Sequence, residues 1–180
     1  TATPITDGRF VWMVYGNRVV TCFDIEGNRR WATVLPDNPQ LMWGHSASPL
    51  LIAGRLIVAI KDIVALDPAT GRELWRTKYG QTWGSAVRAE FGGRPVILMA
   101  NGRIVRPADG KVIGRVSGLE RASPVVAGNT AFYVGERAQA FQLPDSIDWE
   151  TGTRLRPEPI WEASPSGGGF SASPVIHQQL

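Results

Sequence analysis

Apolar residues in this chain fall into short runs, and turn-forming residues divide the runs. In the middle of the chain, positions 50–53, 56–60 and 63–66 are apolar, and 72–77 is a fourth run that mixes Leu74, Trp75 and Thr77 with charged residues; Gly54-Arg55, Lys61-Asp62 and Asp67-Pro68-Ala69-Thr70-Gly71 separate them. Runs this short, split by Gly, Asp and Pro, predict four antiparallel strands joined by tight turns. No stretch keeps a helical period for three turns, which argues against helices. The first part follows the same plan: strands at 10–15 and 19–23 flank Gly16-Asn17-Arg18, and Asp24-Ile25-Glu26-Gly27-Asn28 turns the chain into Arg29-Arg30-Trp31. Further on, the run 95–100 precedes Asn101-Gly102, a strong hairpin signal. Asp109-Gly110 is the next turn, and Gly114 stands where the pattern expects Trp. In the last part 131–134 and 139–143 read as strands. A longer loop with Asp148 and Thr151-Gly152 follows, Trp161 comes late, and 171–176 reads as the start of another unit.

A short signature puts these units in register. Thr3-Pro4-Ile5, Ser48-Pro49-Leu50, Ser85-Ala86-Val87, Ser123-Pro124-Val125 and Ser173-Pro174-Val175 align, with the prolines (Ala86 in the third copy) spaced by 45, 37, 38 and 50 positions. Periods of this size belong to propeller blades or helical solenoids, and the missing helical periodicity leaves the blades. The expected fold is therefore all-β: a partial β-propeller of four-stranded antiparallel blades forming one domain over 1–180. The blades are expected at about 1–44, 45–82, 83–119 and 120–169, with a fifth opening at 170–180. Pro at a strand start costs no ladder bond, Asp caps the turn through its side chain, and Gly supplies a positive φ where the chain reverses. A Trp after each turn offers a large flat surface for packing sheet on sheet. A four-stranded sheet with two apolar faces needs a neighbour on each side, which favours closure into a ring. Because the chain stops inside an apparent new strand, more blades are expected.

Composition narrows the function. With 43% hydrophobic and 19% charged residues the chain can build a core, which separates it from disordered sequences. The net charge of +3 is small and the arginines are scattered, so no nucleic-acid partner is expected. No apolar run approaches the ~20 residues of a membrane-spanning helix. Cys22 is the sole cysteine; it forms no internal disulfide and no cysteine-based metal site.

Candidate chemistry is sparse. His45 adjoins Ser46, but neighbours on a strand point to opposite faces and are badly placed as a nucleophile–base pair. Trp43, His45 and Trp83 lie close to signature strands and are candidate rim residues for binding a partner. Gly167-Gly168-Gly169 lacks the Lys-Ser/Thr and helix of a phosphate loop and reads as a connecting loop. Arg88, Arg103, Arg106 and Arg121 are candidates for a shared cationic face.

The stretch Ala65-x-Asp67-x-x-Thr70-Gly71-x-x-x-Trp75 resembles the repeat of the pyrroloquinoline-quinone (PQQ)-like propellers, a superfamily that includes quinoprotein alcohol dehydrogenases and BamB-type outer-membrane assembly lipoproteins. Cys22-x-Asp24 through Gly27 to Trp31 is a copy one residue short in its turn, Asp109-Gly110 lacks the Trp, and an insertion interrupts the copy ending at Trp161. The resemblance implies a ring of seven or eight blades in which Trp31, Trp75 and Trp161 dock on the turns of adjacent blades. In the dehydrogenases of this superfamily the cofactor is held by a disulfide between adjacent cysteines and by Ca²⁺. This chain has no cysteine pair, and Asp24, Asp67 and Asp109 read as turn residues. The expectation is a non-catalytic scaffold without a cofactor that binds protein or peptide on its rim. The alternative is part of a PQQ- and Ca²⁺-dependent alcohol or sugar dehydrogenase with its site in other blades. Resemblance alone implies a periplasmic or extracytoplasmic location.

Overall fold

The computed structural model describes residues 2–36, 46–80, 82–119, 121–145, 149, 156–164 and 172–177. The protein is all-β, with four four-stranded antiparallel sheets and no helix among the described residues. The first sheet holds β1 (Ile5–Thr6), β2 (Phe10–Val14), β3 (Val19–Asp24) and β4 (Arg29–Val34). The second holds β5 (Leu50–Ile52), β6 (Arg55–Ala59), β7 (Asp62–Leu66) and β8 (Glu73–Lys78). The third holds β9 (Val87–Phe91), β10 (Arg94–Leu98), β11 (Arg103–Val105) and β12 (Val112–Arg115), and the fourth β13 (Val125–Ala127), β14 (Thr130–Val134), β15 (Ala138–Gln142) and β16 (Pro159–Ala163). In each sheet the strands pair in chain order, as they do in a propeller blade. Two local expectations change. The β5–β6 turn is Ala53-Gly54, with φ of 48° and 69°, the positive φ at both central positions that a two-residue type I′ hairpin turn requires. The described part of the expected fifth unit, 172–177, carries no strand, and Val175 is 90% exposed; no described strand pairs with it.

The register explains why the signature and the distant Trp recur together: they are the two ends of one row of side chains across a sheet. Ile5, Trp12, Cys22 and Trp31 are successive ladder partners in the first sheet, and Leu50, Ile57, Ala65 and Trp75 in the second. The third sheet has Val87, Leu98, Ile104 and Gly114, and the fourth has Val125, Phe132, Ala140 and Trp161. Directly paired residues share a face, so the aliphatic signature residue sits at one edge and the indole at the other. A small residue beside the indole (Cys22, Ala65, Ala140) leaves room for it. In the third sheet Ile104 is large and Gly114 small. A β-bulge interrupts the ladder just before this row in all four sheets. Its extra residue is Arg30, Leu74, Ile113 or Ile160, and the bulge re-aims the outer strand.

The chain divides into two compact units, one of 1–81 with 108–110, the other of 82–107 with 111–180. In the first unit Trp12, Val14, Val20 and Cys22 pack against Leu56, Val58, Val64 and Leu66. In the second unit Phe91, Val96, Leu98 and Ile104 pack against Ala131, Tyr133, Phe141 and Leu143. The signature serines also tie neighbouring copies together. Thr3 N–H donates to Ser48 Oγ (2.9 Å), Ser85 N–H to Ser123 Oγ (2.8 Å), and Ser123 N–H to Ser173 Oγ (3.0 Å). The serine next to Pro therefore supplies an acceptor, a role its sequence position alone does not announce.

Two glycines separate backbone strain from indole contact. Gly27 and Gly71 both have positive φ (87° and 73°), but a Cβ at Gly27 meets nothing, whereas one at Gly71 would lie 2.6 Å from Trp31 Cε3. Gly27→Ala is expected to cost only the backbone term, about 1–2 kcal/mol. Gly71→Ala adds overpacking of about 1–3 kcal/mol. Denaturant unfolding of both variants measures the difference; equal losses would mean that the indole yields freely.

Candidate functional site

The turns and the indoles form one recurring joint. Asp67 Oδ1 accepts the N–H groups of Ala69 (2.8 Å) and Thr70 (3.2 Å), and the Asp67 carbonyl accepts Gly71 N–H (2.8 Å). On the turn so shaped, the Pro68 carbonyl accepts both Trp12 Nε1–H (3.0 Å) and Trp31 Nε1–H (2.9 Å). The Trp31 ring covers Gly71, and Thr33 Oγ1 donates to the Gly71 carbonyl (3.2 Å). Trp75 and Thr77 meet Gly110 in the same way: a Cβ on Gly110 would lie 2.5 Å from Trp75 Cε3, and Thr77 Oγ1 donates to the Gly110 carbonyl at 2.8 Å. The working motif is thus Trp-x-Thr against a Cβ-free turn. The threonine and Trp12 escaped the sequence reading, although Trp-x-Thr occurs twice at matching positions.

In the first sheet Asp24 Oδ1 accepts Asn28 N–H (2.8 Å) and Oδ2 accepts Asn28 Nδ2–H (3.1 Å). The Asn28 side chain, followed by its backbone N–H, holds the Asp24 carboxyl below the ordinary carboxylate range. Asp7 is lowered too, chiefly by the N–H of Phe10 and then that of Arg9.

The third sheet departs from this pattern. Gly114 replaces the indole and Val116 replaces the threonine. The bulge residue Ile113 is 2% exposed and joins the interior, whereas Leu74 and Ile160 at the same register are 40% and 55% exposed. An indole reaches this core from elsewhere: Trp149, in the long connection between β15 and β16, packs against it. Arg106 Nη1 donates to the Trp149 carbonyl (3.0 Å), and the Arg94 guanidinium lies 5.8 Å from the ring centroid. Sequence reading passed over Trp149 because it lies in an insertion outside the repeat. Beside this joint opens a cleft of about 640 Å³. Val116, Leu119 and Phe141 contribute apolar surface to it, and Asn101, Arg115, Ser117 and Arg156 contribute polar groups.

The remaining candidates scatter. Trp161 has the register of Trp31 and Trp75, is 44% exposed, and contacts Phe132 at 6.3 Å between ring centroids. Trp83 is half-buried in the segment before β9. Trp43, His45, Asp148, Thr151, Gly152 and Gly167 to Gly169 lie outside the described residues. The four arginines do not share one surface role. Arg88 pairs with Glu90 (2.5 Å), Arg106 holds Trp149, Arg103 stands across the ladder from Arg115, and Arg121 is exposed. Cys22 is buried, and burial pushes its thiol pKa up, which disfavours the reactive thiolate. Among the described residues no three His, Cys, Asp or Glu side chains gather as a metal donor set. Those residues offer no donor set for the Ca²⁺ of a quinoprotein site.

Four chain-ordered sheets with a repeated indole-on-turn joint define a PQQ-like β-propeller repeat protein. The chain belongs to the family described as outer membrane protein assembly factor BamB, whose model matches residues 59–177. Among solved structures, the crystal structure of BamB from Moraxella catarrhalis superposes with a TM-score of 0.61 at 17% identity, covering 79% of this chain and 46% of that one. At that identity the likeness shows the fold, and the chain spans about half the length of this relative. No curated protein matches the sequence.

Two predictions follow from the joints. Trp149→Ala should destabilise the second unit by about 2–3 kcal/mol, at or below the bottom of the range of about 3–5 kcal/mol for truncating a buried aromatic, because the ring is only partly buried. Urea unfolding followed by circular dichroism measures this, and a loss below about 0.5 kcal/mol would remove Trp149 from the packing. Asp24 is bound more tightly as carboxylate in the fold, so its contribution is present above the ordinary carboxylate pKa and is lost as pH falls through the lowered folded value. Asp24→Asn should flatten the acid limb of the thermal midpoint between about pH 5 and pH 2 and leave its slope near neutrality unchanged.

Proposed function

We propose that the chain is part of a non-catalytic propeller scaffold that binds protein or peptide partners along its fourth strands and works outside the cytoplasm. One observation carries this reading: apolar side chains remain exposed on the outer strands. Val34 on β4, Leu74 on β8, and Ile160 and Trp161 on β16 are all exposed, and each of these strands is the last in its sheet. A terminal strand keeps a row of main-chain donors and acceptors for a further strand, and adjacent apolar side chains give such an added strand something to bury. Membership of a family described as an outer-membrane assembly factor supports both the partner and the compartment. The proposal assigns no cofactor, and the fold by itself fixes no activity.

The test is photo-crosslinking in cells that make the complete protein. A benzophenone amino acid at Leu74 or Ile160 should yield a discrete crosslinked protein, while the same probe at exposed Arg9 should not. No crosslink at either strand position, or dye-linked alcohol oxidation on adding PQQ and Ca²⁺ to the complete protein, overturns the reading.

A further inference from the structure

The cleft in the second unit follows from the departure at the third sheet. Val116 stands at the position of Thr33 and Thr77, yet it lines an opening instead of gripping a turn. At about 640 Å³ the opening falls within the range of ligand clefts. Its chemistry is two-sided. Val116 and Phe141, both buried, form an apolar floor with Leu119, and Pro157 and Pro159 line it without offering an N–H. The polar groups are Asn101, Arg115 and Ser117 from the third sheet and its exit, and Arg156 and Glu158 leading into β16. Arg103 is the direct ladder partner of Arg115, and directly paired residues share a face, so a further guanidinium lies beside this edge of the cleft. The nearby acid Glu162 is engaged with Arg137 (3.2 Å) and Gln139 (2.9 Å). Among the described residues, Glu158 is thus the single acid lining a cleft that two arginines line and a third adjoins.

We propose that this cleft binds an extended peptide segment in which a carboxylate neighbours an apolar side chain. The apolar side chain rests on Val116, Leu119 and Phe141. The carboxylate lies between Arg115 and Arg156, whose planar guanidinium groups match it with paired N–H donors. The Asn101 amide and the Ser117 hydroxyl provide a donor and an acceptor for the peptide main chain. This rests on the reading of the chain as a partner-binding scaffold and names the chemistry of one partner segment. The site lies where the Trp-x-Thr of the first two sheets is replaced by Gly-x-Val in the third.

Fluorescence anisotropy with the purified complete protein tests it. The probes are labelled peptides of alternating Asp and Leu with a free C-terminus, the same peptide amidated, and a Lys-for-Asp counterpart. The acidic peptide should bind at least tenfold more tightly than the Lys peptide and weaken with added salt. Arg115→Gln and Arg156→Ala should each reduce its affinity about tenfold with unchanged circular dichroism, while Arg9→Ala leaves it unaltered. Retained binding of the amidated peptide assigns the contact to side-chain carboxylates, and its loss assigns it to the chain terminus. Equal binding of the Asp and Lys peptides, or full affinity in both arginine variants, overturns the proposal. Crosslinks at Leu74 and Ile160 would survive that failure, so the cleft and the outer strands are judged separately.

Discussion

An indole lying flat on a turn without a Cβ is the contact on which this architecture depends. A four-stranded sheet this small cannot bury both of its faces, so the chain is stable only where one sheet covers the next. The flat indole achieves this at the outer edge, where the strands are farthest from the aliphatic core. It demands three things together: a glycine under the ring, a carboxylate that shapes the turn, and a small residue beside the ring on the adjacent strand. Gly71 under Trp31 with Asp67 and Cys22 meets all three. Because these demands are linked, the repeat tolerates change only in sets.

The third sheet illustrates such a set. Loss of the indole at Gly114 comes with a large Ile104 beside it, with Ile113 turned into the interior, and with Trp149 brought in from an insertion. Volume removed from one strand is restored from two other places, as close packing requires. The restoration covers the core but not the surface next to Val116, and there the cleft remains. A change in the structural repeat thus coincides with a concave surface of mixed apolar and cationic character.

Much of this was legible in the sequence. The turn residues and the two-sided apolar runs located strands and sheets, because local backbone preference and side-chain alternation decide both. The displacement of Trp by Gly114 was legible because the register of the repeat is rigid. Trp149 was not, since an insertion has no register to read. The Ser48, Ser123 and Ser173 hydroxyls were visible as a pattern, but their partners are 38 to 50 residues away, beyond the reach of local rules. Of Arg88, Arg103, Arg106 and Arg121, considered for a shared cationic face, Arg88 pairs with the neighbouring Glu90, and Arg106 holds the Trp149 carbonyl 43 residues away, a partner local rules do not reveal.

The sequence by itself determined the repeated unit, its turns and its all-β class, since these follow from the order of apolar, β-branched and turn residues over a few positions. Only the tertiary structure decided which indole covers which turn, that Thr33 and Thr77 grip the turn carbonyls, and that a cleft opens beside Val116. Those outcomes depend on volumes and hydrogen bonds shared between segments far apart in the chain, and such sharing is settled only when the sheets meet.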